Sequence, residues 1–139
     1  MLHLLVQKGY APAIELALSM KNFENPVNTE GETILHEAAK YGQIEILKQI
    51  YQKFQEMYKS QNNLEIRDKN GETLLHKAVK YDHDDVVDYL IRLGADPNAK
   101  TSEGSTTLHF AARYCRHDIL QVKRFSLHLT ERRTNPFLM

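Results

Sequence analysis

Gly71-Glu72-Thr73-Leu74-Leu75-His76 reappears as Gly31-Glu32-Thr33-Ile34-Leu35-His36 and as Gly104-Ser105-Thr106-Thr107-Leu108-His109, and this threefold motif decides the fold. Its histidines lie 40 and 33 residues apart. A further step of 33 back from His36 reaches His3, preceded by Leu2 and followed by Gly9 in the register of Gly42, so we expect the chain to begin inside a repeat. Each copy carries a small pair after the histidine (Ala38-Ala39, Ala78-Val79, Ala111-Ala112), a polar break, then an apolar run such as Ile44, Ile46, Leu47 and Ile50. The 71–103 copy ends on Leu90, Ile91 and Leu93 before Gly94-Ala95-Asp96-Pro97-Asn98. A unit of this length cannot bury its apolar face alone, so stacked neighbours form the core.

The pattern resembles the ankyrin repeat, with its period of about 33 residues, its Gly-x-Thr-Pro-Leu-His-x-Ala-Ala helix start and its Gly-Ala-Asp-x-Asn turn. The resemblance implies an all-α solenoid of about four helix-turn-helix units with short β-hairpin connections. The units are expected at about 2–30, 31–70, 71–103 and 104–125, with 126–139 as an irregular tail. Ile34, Leu74 and Thr107 stand where the family has proline, which removes a preset helical φ and predicts a slightly less rigid helix start. Thr33, Thr73 and Thr106 are placed to cap the first helix of each unit. Leu35, Leu75 and Leu108 are expected to fill the layers between units. Gly94 suits a left-handed helix end, and Asp68-Lys69-Asn70-Gly71 suits a tight turn.

Composition narrows the function. The 139 residues carry 18 Lys+Arg, 18 Asp+Glu and one Cys. A neutral balance argues against a protein that coats nucleic acid or anionic membrane. A lone Cys excludes an intramolecular disulfide framework and a thiolate zinc site, which fits a reducing compartment. The apolar opening from Met1 to Val6 is too brief for a signal peptide or a membrane span. A cytoplasmic location is expected, with the nucleus as a second compartment.

Seven histidines invite a metal reading. His3, His36, His76 and His109 share one repeat position, so stacking spaces them along the solenoid, whereas zinc needs ligands converging at about 2 Å. The resemblance implies that this histidine bonds backbone of the next unit. His83, His117 and His128 are expected to face solvent. Asp68-Lys69-Asn70-Gly71 lacks a calcium-ligand ladder. Asp82, Asp84, Asp85 and Asp88 fall at a second-helix start, where negative charge offsets the dipole. Cys115 has no partnered base. Neither a catalytic arrangement nor a cofactor or metal site is visible, and we expect a protein that is not an enzyme. Asn98 is similar to asparagines that hydroxylases modify in this family, although Pro97 stands where those sites prefer Val or Ile. The alternative is an Asn that ties down its own turn.

Ankyrin-type stacks bind proteins through hairpin tips and the exposed positions of each first helix. By register these positions are Glu37, Lys40 and Tyr41, then Lys77, Lys80 and Tyr81, then Phe110, Arg113 and Tyr114. A basic residue followed by tyrosine thus recurs three times, which suits an acidic or extended partner and uses residue types that concentrate binding energy. A tyrosine packed on the next unit is the plainer alternative. Seven extra residues separate His36 from His76, and Leu47, Ile50, Tyr51, Phe54, Met57 and Tyr58 keep helical spacing through them. That predicts a second helix reaching about Lys59 and a polar loop at 60–63, with its aromatics either protruding or folded over the neighbouring unit. Arg113, Arg116, Lys123, Arg124, Arg132 and Arg133 make the C-terminal end locally basic.

These readings point to a non-catalytic protein-binding module, an adaptor or an inhibitor. A sharper version follows from the resemblance to short inhibitor-of-NF-kappaB-like arrays, which would sequester a Rel-type transcription factor. Nucleic-acid binding through the basic end is the alternative of a different class.

Overall fold

A computed structural model describes residues 2–20, 27–57 and 63–114. Helices α1 (Leu2–Lys8) and α2 (Ala11–Leu18) form the first pair, α3 (Ile34–Lys40) and α4 (Ile44–Met57) the second, α5 (Leu74–Lys80) and α6 (Asp84–Leu93) the third. Helix α7 (Thr107–Arg113) opens a fourth unit. The first helices stack in sequence, α1 on α3, α3 on α5 and α5 on α7, and α2 packs on α4 behind them. No helix among the described residues is long and apolar enough to cross a membrane.

Each first helix starts for the same local reason. Thr33, Thr73 and Thr106 hold extended backbone at the N-cap, and each hydroxyl accepts the backbone N–H of the histidine three residues on. The histidine closes the box, its Nδ1 accepting the threonine N–H at 3.1, 3.1 and 3.0 Å respectively. This is a reciprocal capping box with histidine in the place usually held by Glu or Gln. Because Nδ1 accepts, the proton sits on Nε2. His36 Nε2–H then donates to Ile66 O (3.0 Å) and Glu72 O (3.1 Å), and His76 Nε2–H to Ser105 O (3.2 Å). The family-implied link to the next unit is therefore present for these two.

The residues in the family's proline position do more than lose a constraint. Ile34, Leu74 and Thr107 are fully buried, and Thr107 Oγ1 donates to Pro97 O at 2.7 Å. Leu35 and Leu75 fill inter-unit layers as expected, whereas Leu108 is 45% exposed. The alanine and valine pairs Ala38-Ala39 and Ala78-Val79 are buried between helices. Helix α6 ends on Gly94 at φ 101°, the left-handed cap expected there.

Helix α4 carries the seven-residue insert and runs 14 residues to Met57. Phe54 is fully buried, so this aromatic folds into the stack, and Met57 is exposed. Tyr58, Lys59 and residues 60–62 of the loop expected at 60–63 lie outside the described residues, as do Cys115, His117, His128 and the tail, while Asn63 opens a short 3-10 turn, Asn63–Glu65.

The connections between units are turns, and the described residues contain one isolated bridge, Val27 to Thr33, and no longer strand. Each turn is closed by a side chain at one repeat position. Asn28 Oδ1 accepts from Glu30 N and Glu32 N, Asp68 Oδ1 from Asn70 N and Glu72 N, and Thr101 Oγ1 from Ser105 N. Neighbouring tips are joined by backbone bonds, Lys69 N to Glu30 O (3.1 Å) and Ser102 N to Asn70 O (3.0 Å). In the later turn at 96–98 the tie belongs to Asp96, whose Oδ1 accepts from Asn98 N, while the Asn98 side chain is exposed.

Candidate protein-binding groove

The first helices bring the nine register-derived positions to one face, but three of them are buried. Glu37, Lys77 and Phe110 are buried, each because a neighbouring repeat covers it. Glu37 accepts from Asn28 Nδ2 at 2.8 Å and lies 3.4 Å from His3 Nδ1. Phe110 packs edge-on against His76 and Tyr114, with centroid separations of 5.0 and 5.8 Å.

Lys77 sits in a cage. Its Nζ lies 2.7 Å from Glu32 Oε1, 2.7 Å from Asp68 Oδ2 and 3.2 Å from Glu72 Oε1. Burial alone would push a lysine down, but these carboxylates outweigh it and hold the ammonium well above its ordinary range. The same pairing pulls Glu32 and Asp68 below the usual carboxylate range against the opposing effect of their own burial. Two outer lysines complete the network, Lys40 Nζ at 3.8 Å from Glu32 Oε2 and Lys80 Nζ at 3.8 Å from Glu72 Oε2. Three carboxylates thus face three ammonium groups, and Glu32 from one turn is bound to Lys77 of the next unit.

Above this network the outer lysines and the tyrosines alternate. Lys40 Nζ lies 5.6 Å from the Tyr41 ring centroid and 5.5 Å from that of Tyr81, and Lys80 Nζ lies 5.7 Å from Tyr81 and 5.8 Å from Tyr114. These distances are within cation–π range. Gln7 Nε2 donates to Tyr41 Oη at 2.6 Å, which carries the row onto α1. Tyr41 and Tyr81 are exposed, Lys40, Lys80 and Tyr114 are half-buried, and Arg113 is exposed. A cavity of about 280 Å³ opens at the Arg113 end, lined in part by Lys69, Ser102, Ser105, Phe110 and Tyr114.

The histidines divide by environment. Burial lowers His36 and His76 below the ordinary imidazole value and keeps them neutral. His83, expected in solvent, is half-buried, and its Nε2 donates to Lys40 O at 2.8 Å across the polar break of the preceding unit. Among the described residues no group of three or more His, Cys, Asp or Glu is placed to hold a metal ion.

Sequence reasoning missed the acidic half of the site. Glu32, Asp68 and Glu72 are turn residues, and only the Asp68 turn was singled out. A signal was available, because the Gly-Glu-Thr step repeats in two units and puts one carboxylate just ahead of each cap.

Two comparisons bear on identity. A family model described as ankyrin repeats (many copies) matches residues 57–111, and one described as ankyrin repeat matches residues 30–54. A search of curated proteins found no match. The matched residues hold the capped first helices, the buried histidines and the ionic cage just described, and ankyrin repeats are in general protein–protein interaction modules. The chain belongs to the ankyrin-repeat family.

Proposed function

We infer that the chain is a non-catalytic adaptor or inhibitor that captures an acidic or extended segment of a partner protein along the face bearing Lys40, Tyr41, Lys80, Tyr81, Arg113 and Tyr114. The alternating row of Lys40, Tyr81, Lys80 and Tyr114 carries this reading. Its amphipathic rings offer large contact area at small entropy cost, and the cations beside them complement negative charge. Turns tied to each other by backbone bonds hold the face in place before binding, which reduces the ordering cost of association. Glu37, Lys77 and Phe110 serve this face from below, as the packing and charge balance under the row.

Affinity purification of the tagged protein from host cells, read by mass spectrometry, identifies the partner, and the variant Lys40→Gln/Lys80→Gln tests the face. Retention of the partner by wild type and its loss from the variant supports the reading; equal retention by a folded variant overturns it. A Rel-type transcription factor among the captured proteins would select the inhibitor-of-NF-kappaB-like version, for which the 14-residue α4 is the supporting feature.

A further inference from the structure

The ionic pattern of the second and third units breaks in the fourth. Each of those units pairs its groove lysine with a glutamate of its own turn, Lys40 with Glu32 and Lys80 with Glu72. In the same register the fourth unit has Arg113, but Ser105 replaces the glutamate and Phe110 replaces the caged Lys77. Arg113 Nη2 donates to Ser105 Oγ at a long 3.4 Å, and its guanidinium lies 5.7 Å from the Phe110 ring. Among the described residues it makes no ion pair. A guanidinium without its register partner, on an aromatic floor beside a cavity of about 280 Å³, has the makings of a receptor for an anion supplied from outside.

We propose that the cavity between the turns of the third and fourth units is a subsite for one carboxylate side chain, Asp or Glu, of an extended partner segment, with Arg113 as the principal donor. The partner's carboxylate takes the place that Glu32 and Glu72 fill in the preceding units. Lys69 and the hydroxyls of Ser102 and Ser105 line the same cavity and supply further donors. A singly charged group fits better than a dianionic phosphoryl group, because Glu72 and Glu103 also line the cavity and, among the described residues, Lys69 and Arg113 are the only cations lining it. The proposal rests on the groove reading above and adds to it a ligand class, a register and one decisive residue.

The test uses the full chain and three fluorescein-labelled dodecapeptides, (Glu-Gly-Glu-Ala) three times over, its glutamine counterpart and its phosphoserine counterpart, with affinity read by fluorescence polarisation at low salt. Wild type should bind the glutamate peptide at least tenfold tighter than the other two. Arg113→Gln should weaken that binding by at least about tenfold. Ser105→Glu, which restores the internal carboxylate of the other units, should weaken it as much while melting at or above the wild-type temperature. Binding unchanged within threefold in both variants overturns the subsite. If Lys40→Gln/Lys80→Gln then still weakens binding, the groove reading survives; if it does not, both fall. Failure of wild type to bind the glutamate peptide, or a preference for phosphoserine or glutamine, overturns the subsite alone, since partner capture judges the groove separately.

Discussion

At the scale of single residues, Lys77 shows how a position can be right in register and different in role. Its place in the repeat marks it as a groove cation, yet three carboxylates within 3.2 Å enclose it. Lys77→Met removes the buried charge that all three share, and urea unfolding at pH 7 should show a loss of about 3–5 kcal/mol. Lowering the pH toward 4 should narrow the gap from wild type, because the stranded carboxylates then protonate. In wild type the depressed Glu32 and Asp68 contribute stability above the ordinary carboxylate range, and that contribution is lost as pH falls through their folded values. The histidines act earlier on the acid side. His36 and His76 are lowered by burial, so the unfolded chain binds protons that the folded chain refuses as pH drops below about 6.5. Their contribution is complete above that value, and unfolding free energy should decline between pH 7 and pH 5. His76→Gln should be less stable at pH 7 yet show a shallower decline over that window. The threonine caps were legible because they depend on residues three apart; the neutral state of His36 and His76 and the cage were not, because burial of the histidines and the meeting of Glu32 with Lys77 come only when units stack.

At the scale of elements, the polar break between the two helices of a unit is the sensitive point. Gly42 holds φ 67° and packs so closely on His83 that an added Cβ would lie 2.5 Å from its Nδ1. Gly42→Ala should therefore cost about 1–3 kcal/mol by thermal or chemical unfolding, combining left-handed strain with the displaced ring. Asp82 occupies the same position in the next unit at φ 64°. The insert behaves as an extension of the core. With its ring fully buried, Phe54→Ala should lose about 3–5 kcal/mol in the same assay. Helical spacing announced the long α4. Whether Phe54 protruded or folded inward was not legible, because the spacing defines a face without naming what packs on it.

At the scale of the whole molecule, the neutral charge count conceals a graded face. Carboxylates and lysines cancel beneath the second and third units, and at the fourth stands Arg113, a guanidinium with no ion pair among the described residues. A partner that reads this face should bind less tightly as salt rises, and Lys40→Gln/Lys80→Gln should reduce both its affinity and that salt slope while lowering unfolding free energy by no more than about 1 kcal/mol per lost ion pair. Titration of the captured partner at two salt concentrations checks both. The sequence alone determined the repeat, its helices, its threonine caps and the row of basic and tyrosine positions, because each follows from spacing within one unit and from local hydrogen-bonding chemistry. Only the tertiary structure decided which of those positions remain open. Burial of Glu37, Lys77 and Phe110 and the turn of His83 onto the Lys40 carbonyl arise where side chains from adjacent units share one space, and a single unit's pattern carries no record of its neighbour.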